Sequence, residues 1–391
     1  MSRHATLAAA WYLWFLTFGT RTAVSPVLPL VEDEFGMSHG EAGSLFTFIG
    51  AGYSILMVTA GFLVQRFGNR RVVLGAFGLV TLLFWAIPGA GDAFSLKLLF
   101  LLLGLASGAI LPSLMPLLTR VYPRALWGRV LGIFDSAVGF SLIAMPLIAR
   151  AVVRGGEWRR MYWTLGALAA VGWLLFAFAA RGDEPAKGPL PRRPWSAYGV
   201  VLRNRHLLLL TLLGFCAAST SLGVYSLGPT YLVKGKGMPL DEANFWFALT
   251  RLPGLVVAVV GGMIADRWGA RRTMGAILAV AGLFTIGVAL APTAGGVLLF
   301  LFLQNMVLPG FFPACFSYLA HVTTEQERSA ALGLVLALGG SAASGLAPWF
   351  LGAVADAHSF ELGILLVGLA APLSSLLLLA MADERRGRNP P

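Results

Sequence analysis

Two arginines lie inside long apolar stretches of the sequence, Arg21 within 17–26 and Arg251 within 248–254. At 1.5 Å per residue, Arg21 is about 22 Å from Leu7 and Arg251 is about 22 Å from Asp266, which are the helix ends expected on the same side of the membrane. No acidic residue stands near either one in sequence. The arginine fork binds two oxygens of a carboxylate at once, so the pair predicts an anion site. Snorkelling, or pairing with backbone carbonyls, is the structural alternative for both.

Asp135 is the one acid placed clearly within an apolar stretch, in 132–136. Ionisable side chains at membrane depth are functional candidates, and a carboxyl group there can carry a coupling proton. An equally good interpretation is a gating ion pair with Arg66 or Arg129. The sequence leaves both possibilities open.

Neutral polar residues at the same depth predict the rest of the lining. Tyr53, Tyr225, Gln304 and Asn305 fall in the middle thirds of their apolar stretches. Amides are costly in an apolar helix unless they are hydrogen-bonded, which makes Gln304 and Asn305 the sharper signals. Hydrogen bonding between helices is the alternative role for the amides, and packing is the alternative for the tyrosines.

The composition indicates a membrane protein that would hold these residues on helices. Apolar residues make up 57% of the 391, charged residues only 12%, and the mean hydropathy is +0.77. A bilayer core of about 30 Å needs about 20 apolar residues per helix. The pattern predicts an all-α fold of twelve transmembrane helices: 6–30, 41–65, 71–90, 95–119, 128–150, 160–180, 206–231, 242–264, 273–291, 295–319, 329–353 and 360–381.

The charge pattern predicts how the chain lies in the membrane. Although the net charge is +11, the basic residues stand between apolar runs, so topology explains them better than nucleic-acid binding. Of the 29 Lys and Arg, twenty fall on the side of the N-terminus and seven on the other. The positive-inside rule then places both termini in the cytoplasm, and we expect a bacterial inner membrane.

The sequence repeats at an offset of 201, where Gly61, Arg66 and Gly68 match Gly262, Arg267 and Gly269. Because six helices are an even number, the two halves start on the same side and form a parallel repeat. We therefore predict a six-helix bundle at 1–180, a cytoplasmic linker at 181–205, and a second bundle with a short tail at 206–391. Transporters of this type bind substrate near the midplane, between the halves.

Two loops carry the repeat most clearly, 61–71 and 262–272. We expect the first glycine of each loop to permit close helix contact, the second to permit a tight turn, and the arginines to anchor at headgroups. These gating or scaffold candidates are Gly61, Arg66, Gly68, Arg70, Arg71, Gly262, Asp266, Arg267, Gly269, Arg271 and Arg272. Both loops resemble the signature of the major facilitator superfamily, and the resemblance extends over the whole chain.

The resemblance implies the major facilitator fold and alternating access by two rocking bundles. The motif's acid, which helps to latch the cytoplasmic side in the family, stands as Asp266 in one loop but is Gln65 in the other. An arginine that many drug exporters carry in the fourth helix is absent from 98–108. The arginine pair loosely resembles the organic-anion branches, including monocarboxylate transporters.

We therefore expect a secondary transporter of a small organic anion, coupled to protons and embedded in the lipid bilayer. Alternatives are an exporter of drugs or apolar metabolites, a nitrate-type carrier of inorganic oxyanions, and a non-transporting receptor or scaffold. The sequence has no Walker loop, and its five histidines do not stand at metal-ligand spacing. We expect no enzyme activity, no metal and no cofactor.

Overall fold

The apolar runs fold into helices in a computed structural model that describes residues 3–123, 126–179, 204–323, 331–333 and 335–381. Within these ranges the regular structure is helical, and no strand occurs. A helix satisfies its backbone hydrogen bonds internally, as a segment in hydrocarbon requires. The predicted linker 181–205 lies outside the described residues except for its last two positions.

The helices fall into two stretches of chain, which we call the N-half (3–179) and the C-half (204–381). Those of the N-half are α1 (Arg3–Thr22), α2 (Leu28–Phe35), α3 (His39–Phe67), α4 (Asn69–Ala86), α5 (Ala93–Gly108), α6 (Ile110–Val121), α7 (Trp127–Val152) and α8 (Arg159–Ala179). Those of the C-half are α9 (Arg205–Ala218), α10 (Val224–Thr230), α11 (Leu240–Leu249), α12 (Gly254–Trp268), α13 (Ala270–Leu290), α14 (Ala294–Asn305), α15 (Phe311–Val322), α16 (Ala342–Ala357) and α17 (Phe360–Ser375).

Short turns of other helix types extend several of these helices. The 3-10 turns are Ser25–Val27, Ile87–Gly89, Leu308–Gly310 and Leu376–Ala380, and the π-helical turns are Ser219–Gly223, Tyr231–Gly235 and Val335–Ser341. As a result, α9, α10 and their π turns form one continuous span, Arg205–Gly235.

The chain is a multi-pass integral membrane protein. In the described ranges, ten helical segments are long and apolar enough to cross a bilayer. An eleventh results if Leu240–Val257 and Val260–Trp268, which are bent by 44° relative to each other, count as one span. The predicted span 6–30 is divided into α1 and α2 by the 3-10 turn at Ser25–Val27.

Glycines set both the turns and the closest helix contacts. Gly68 (φ +81°) ends α3 and Gly269 (φ +92°) ends α12, in conformations that L side chains rarely adopt. A Cβ at Gly43 would lie 2.4 Å from the Pro348 carbonyl oxygen, so α3 packs directly on the backbone of α16. The expected close contact at Gly61 is wrong for this conformation, since a Cβ there would meet no described atom within 4 Å.

Among the described residues, the N-half and the C-half touch mainly on one side. We call the side with the Gly68 and Gly269 turns the motif side, and the other side the opposite side. Toward the opposite side, a Cβ at Gly352 of α16 would lie 2.1 Å from the His39 carbonyl oxygen of α3. Toward the motif side, a Cβ at Gly132 of α7 would meet no described atom within 4 Å.

Candidate functional site

A small cavity lies between the N-half and the C-half, at the level where Arg21 ends α1. Both halves supply its walls: α1 and α3 from one, and the α9–α10 span and α16 from the other. Its lining residues are Phe18, Arg21, Thr22, Phe46, Ile49, Gly50, Leu222, Tyr225, Ser226 and Ser344. Of the predicted substrate residues, Arg21 and Tyr225 therefore face this cavity.

The Arg21 guanidinium group is half-buried and contacts neutral groups. Its carbon lies 4.7 Å from the centre of the Tyr53 ring in α3 and 5.5 Å from that of Phe18. Its Nη2 donates a hydrogen bond to the Ser344 hydroxyl of α16, across the boundary between the halves. Among the described residues no carboxylate forms an ion pair with Arg21, so its positive charge is not neutralised by the protein.

Arg251 is more buried than Arg21. It lies at the break between α11 and α12 and is only 3% exposed. Pro253, which lacks a backbone N–H, is the N-cap of α12 at this break. The guanidinium carbon lies 5.0 Å from the Tyr225 ring centre and 4.5 Å from that of Phe247. Nη1 donates to Asn305 Oδ1 at 3.2 Å, whereas Nε and Nη2 have no hydrogen-bond partner in the described ranges.

Tyr225 separates Arg251 from the cavity. Its ring covers the Arg251 guanidinium group, and the same residue lines the cavity that Arg21 faces. The Tyr225 hydroxyl donates to the Leu142 carbonyl of α7 at 3.2 Å. The Tyr225 carbonyl accepts from the Ser25 hydroxyl at 2.8 Å. Both bonds join the C-half to the N-half, so Tyr225 is held in place by both halves of the protein.

The two amides predicted beside the site, Gln304 and Asn305, form hydrogen bonds within the C-half. The Gln304 Nε2 donates to the Thr285 hydroxyl at 2.6 Å and to the Thr220 carbonyl at 3.3 Å, which links three helical segments. Asn305 donates to the Leu301 carbonyl at 2.8 Å while its Oδ1 orients Arg251. Neither amide lines the cavity.

Asp135 lies on α7, exposed at the surface of the protein and next to the Trp14 indole. The Trp14 Nε1–H is buried and has no hydrogen-bond partner among the described residues. In the part of the chain that the structure describes, no ion pair joins Asp135 to Arg66 or to Arg129. The Asp135 carboxylate thus has no cationic partner among the described residues.

The loop motifs fix helix ends on the motif side. Arg70 donates to the Ala177 carbonyl of α8 at 2.9 Å, and Arg271 donates to the Met381 carbonyl at 2.9 Å. These two contacts occupy equivalent places in the two loops. The remaining charged motif residues are exposed: Arg66, Arg71, Asp266, Arg267 and Arg272.

The sequence analysis did not identify a polar cluster on the opposite side. The Glu32 side chain is fully buried, and its Oε2 lies 2.9 Å from Lys234 Nζ of the C-half and 3.1 Å from His39 Nδ1. Lys234 also contacts Asp33 at 2.7 Å. The Asp356 carboxylate of α16 accepts from the backbone N–H groups of His39 and Gly40, each at 2.8 Å, and so binds the first turn of α3.

A signal for this cluster was present in the sequence. Asp33 and Lys234 stand at equivalent positions of the 201-residue repeat and carry opposite charges. Their spans extend to Phe35 and Gly235, beyond the predicted ends at 30 and 231. The cluster ties the two halves together and closes the opposite side.

Comparison with known proteins extends these observations. The family model of the Major Facilitator Superfamily matches residues 10–300 and 237–391. The chain is 26% identical to a probable sulfoacetate transporter of Cupriavidus necator, over 68% of the chain and 65% of that relative's length. It is 24% identical to a probable L-galactonate transporter of Escherichia coli, over 93% of the chain and 86% of the relative.

A third relative and a solved structure complete the comparison. A probable nitrate/nitrite antiporter of Thermus thermophilus is 29% identical over 62% of the chain and 57% of its own length. The fold is similar to the crystal structure of a bacterial homolog to the human lysosomal transporter Spinster in an inward-facing, unoccupied conformation. The TM-score is 0.83 at 15% identity, covering 97% of this chain and 96% of that one, which shows a shared fold.

Proposed function

The chain belongs to the Major Facilitator Superfamily and is a transporter rather than an enzyme, and we propose that it is a proton-coupled secondary transporter of a small organic anion. We propose further that it works by alternating access at the cavity between the halves. Two transporters of organic acids among its relatives support the substrate class.

The single observation that carries the proposal is the Arg21 guanidinium group in that cavity. It faces the space between the halves, and its protein contacts are a hydroxyl and two aromatic rings. An arginine side chain stays protonated, and a counterion stabilises a charge that is partly removed from water. A carboxylate entering the cavity supplies that counterion and matches the fork of the guanidinium group.

The architecture that we propose for this mechanism has twelve spans in two six-helix bundles, 1–180 and 206–391, joined by a linker at 181–205. The 201-residue repeat supports a parallel relationship between the bundles. The excess of basic residues on the motif side supports cytoplasmic termini in a bacterial inner membrane.

The opposite side would then face outward, and the cluster around Glu32 would close it in the conformation described. Asp135 is the proposed site of the coupling proton. It lies on α7, whose Leu142 carbonyl holds Tyr225, so a change of charge at Asp135 occurs on a helix that touches the anion site.

Counterflow in proteoliposomes tests the proposal. Vesicles loaded with an unlabelled carboxylate should accumulate the labelled compound with the wild-type protein and not with Arg21→Met. Arg154→Met, a change at an exposed arginine outside the cavity, is the matched control and should transport normally. Equal counterflow by Arg21→Met for every carboxylate tested would overturn the proposal.

A nitrate-type carrier is the second candidate function. The nitrate/nitrite antiporter among the relatives favours it, and a guanidinium group binds planar inorganic oxyanions as well as carboxylates. Counterflow of nitrate or nitrite with no counterflow of any carboxylate would establish this alternative.

A further inference from the structure

The site contains two positive charges that the described part of the protein does not neutralise. Arg21 contacts Tyr53, Phe18 and Ser344, and Arg251 contacts Tyr225, Phe247 and Asn305. All six partners are neutral. Taking an ion out of water is costly, and aromatic faces and an amide oxygen offset only part of that cost.

The free hydrogen-bonding groups of Arg251 have a specific geometry. Nη1 is engaged by Asn305, and the two donors without a described partner are Nε and Nη2. These two N–H groups lie on one edge of the planar guanidinium group and point the same way. That edge binds both oxygens of a carboxylate or sulfonate through parallel hydrogen bonds. The free edge of Arg251 therefore carries the pair of donors that an oxyanion receptor needs.

Tyr225 controls access to this receptor from the cavity. It covers Arg251 on one side and lines the Arg21 cavity on the other. A ligand that fills the cavity meets Arg21 first. Its second charged group reaches Arg251 only after the Tyr225 side chain rotates, which breaks the hydrogen bond to the Leu142 carbonyl of the N-half.

We propose that the transported anion is a dianion, a dicarboxylate or a sulfocarboxylate, with one group bound at Arg21 and the other at Arg251. Tyr225 is the residue that couples occupation of the second site to the boundary between the halves. This inference rests on the proposed function, because it specifies the charge of the same substrate. A monoanion satisfies Arg21 alone and leaves Arg251 covered.

Matched ligand pairs test the charge directly. Purified protein is titrated by calorimetry with the dicarboxylates from malonate to adipate, and with the half-amide of each one. A diacid and its half-amide have nearly the same size and shape and differ by one charge. The wild-type protein should bind its best diacid about tenfold or more tightly than the matching half-amide, because a bidentate charged pair is among the strong hydrogen bonds.

Two variants assign this preference to its residues. Arg251→Met should abolish the preference for the diacid while leaving the affinity for the half-amide within about threefold. Arg21→Met should weaken both ligands. If Arg251→Met does not fold, Asn305→Ala, which leaves Arg251 in place but removes the amide that orients it, should reduce the same ratio.

The possible failures are distinct. Equal affinity of the wild-type protein for diacids and half-amides, or a ratio that Arg251→Met leaves unchanged, would overturn the dianion inference alone. The anion site and the inference would both be overturned if the wild-type protein bound neither ligand class. They would also both be overturned if Arg21→Met bound both ligands as tightly as the wild type.

Discussion

The Tyr225 ring lies 5.0 Å from the Arg251 guanidinium carbon and shields it from the cavity that Arg21 faces. The hydroxyl of the same tyrosine donates to the Leu142 carbonyl on the other side of the cavity boundary. One side chain thus contacts a buried charge, the small cavity and the other half of the protein. This relationship gives the anion site a physical connection to the rearrangement that transport requires.

Removing the Tyr225 hydroxyl should loosen that connection without uncovering Arg251. Tyr225→Phe keeps the ring over the guanidinium group but loses the 3.2 Å hydrogen bond to Leu142. We expect the state closed on the opposite side to lose about 1 kcal/mol and the exchange rate to change by severalfold. Tyr225→Ala also removes the ring and should lower thermal stability further. Identical counterflow rates and melting temperatures for Tyr225→Phe and wild type would contradict this role.

The Glu32 cluster should stabilise closure of the opposite side. Lys234→Gln leaves the buried Glu32 carboxylate with the His39 imidazole as its remaining described side-chain partner, so we expect a loss of about 3 kcal/mol from the closed state. Asp33→Asn is the matched control, because Asp33 also contacts Lys234 but is 68% exposed; its loss should stay below about 1 kcal/mol.

Thermal unfolding in detergent measures both single variants and the double variant Glu32→Gln/Lys234→Gln. The double variant should recover part of the lost stability, since it leaves no unpaired buried charge. Equal melting temperatures for Lys234→Gln and Asp33→Asn would contradict the importance of burial in this cluster.

The same substitution should affect thermal stability differently at two glycines of α3. In Gly43→Ala the new methyl group would lie 2.4 Å from the Pro348 carbonyl oxygen, which forces α3 and α16 apart. In Gly61→Ala it would meet no described atom within 4 Å and should improve helix propensity slightly. We expect a clear fall in melting temperature for Gly43→Ala and little change for Gly61→Ala. A reversed order would show that the conformation described is not the stable one.

Asp135→Asn should separate proton coupling from substrate exchange. An amide cannot release a proton at Asp135, so accumulation driven by a pH gradient should be lost. Counterflow, which needs no net proton movement, should persist at near the wild-type rate. Ser136→Ala changes the neighbouring residue, which accepts from the Trp11 indole at 3.0 Å, and should leave both activities in place. Normal pH-driven accumulation by Asp135→Asn would assign coupling elsewhere.

Sequence patterning was sufficient for the membrane class and the family. The apolar runs predicted the ends of most described spans to within a few residues, because bilayer thickness fixes the length of a span. The predicted helices 6–30 and 242–264 are each divided in two. The ten spanning segments of the described chain confirm a multi-pass protein, and the family match confirms the resemblance read from the two loops. The count of twelve spans and the two-bundle repeat remain predictions.

The geometry of the site was only partly accessible from sequence. Depth along a helix placed Arg21 and Arg251 at one level, but periodicity does not fix which neighbour a side chain meets. The structure puts a tyrosine from the same half against each arginine, Tyr53 against Arg21 and Tyr225 against Arg251. The Glu32 cluster was missed because a hydropathy pattern places the end of a span at its first charged residue. In the structure the helices extend past these charged residues, whose opposite charges neutralise one another.

A structure of the protein with a bound carboxylate would show most directly whether Arg21 receives the anion. With a ligand that the protein binds in solution, we expect a carboxylate within hydrogen-bonding distance of the Arg21 guanidinium group, between Tyr53 and Ser344. Density for the ligand at another place, with Arg21 still bound to the Ser344 hydroxyl alone, would contradict this expectation.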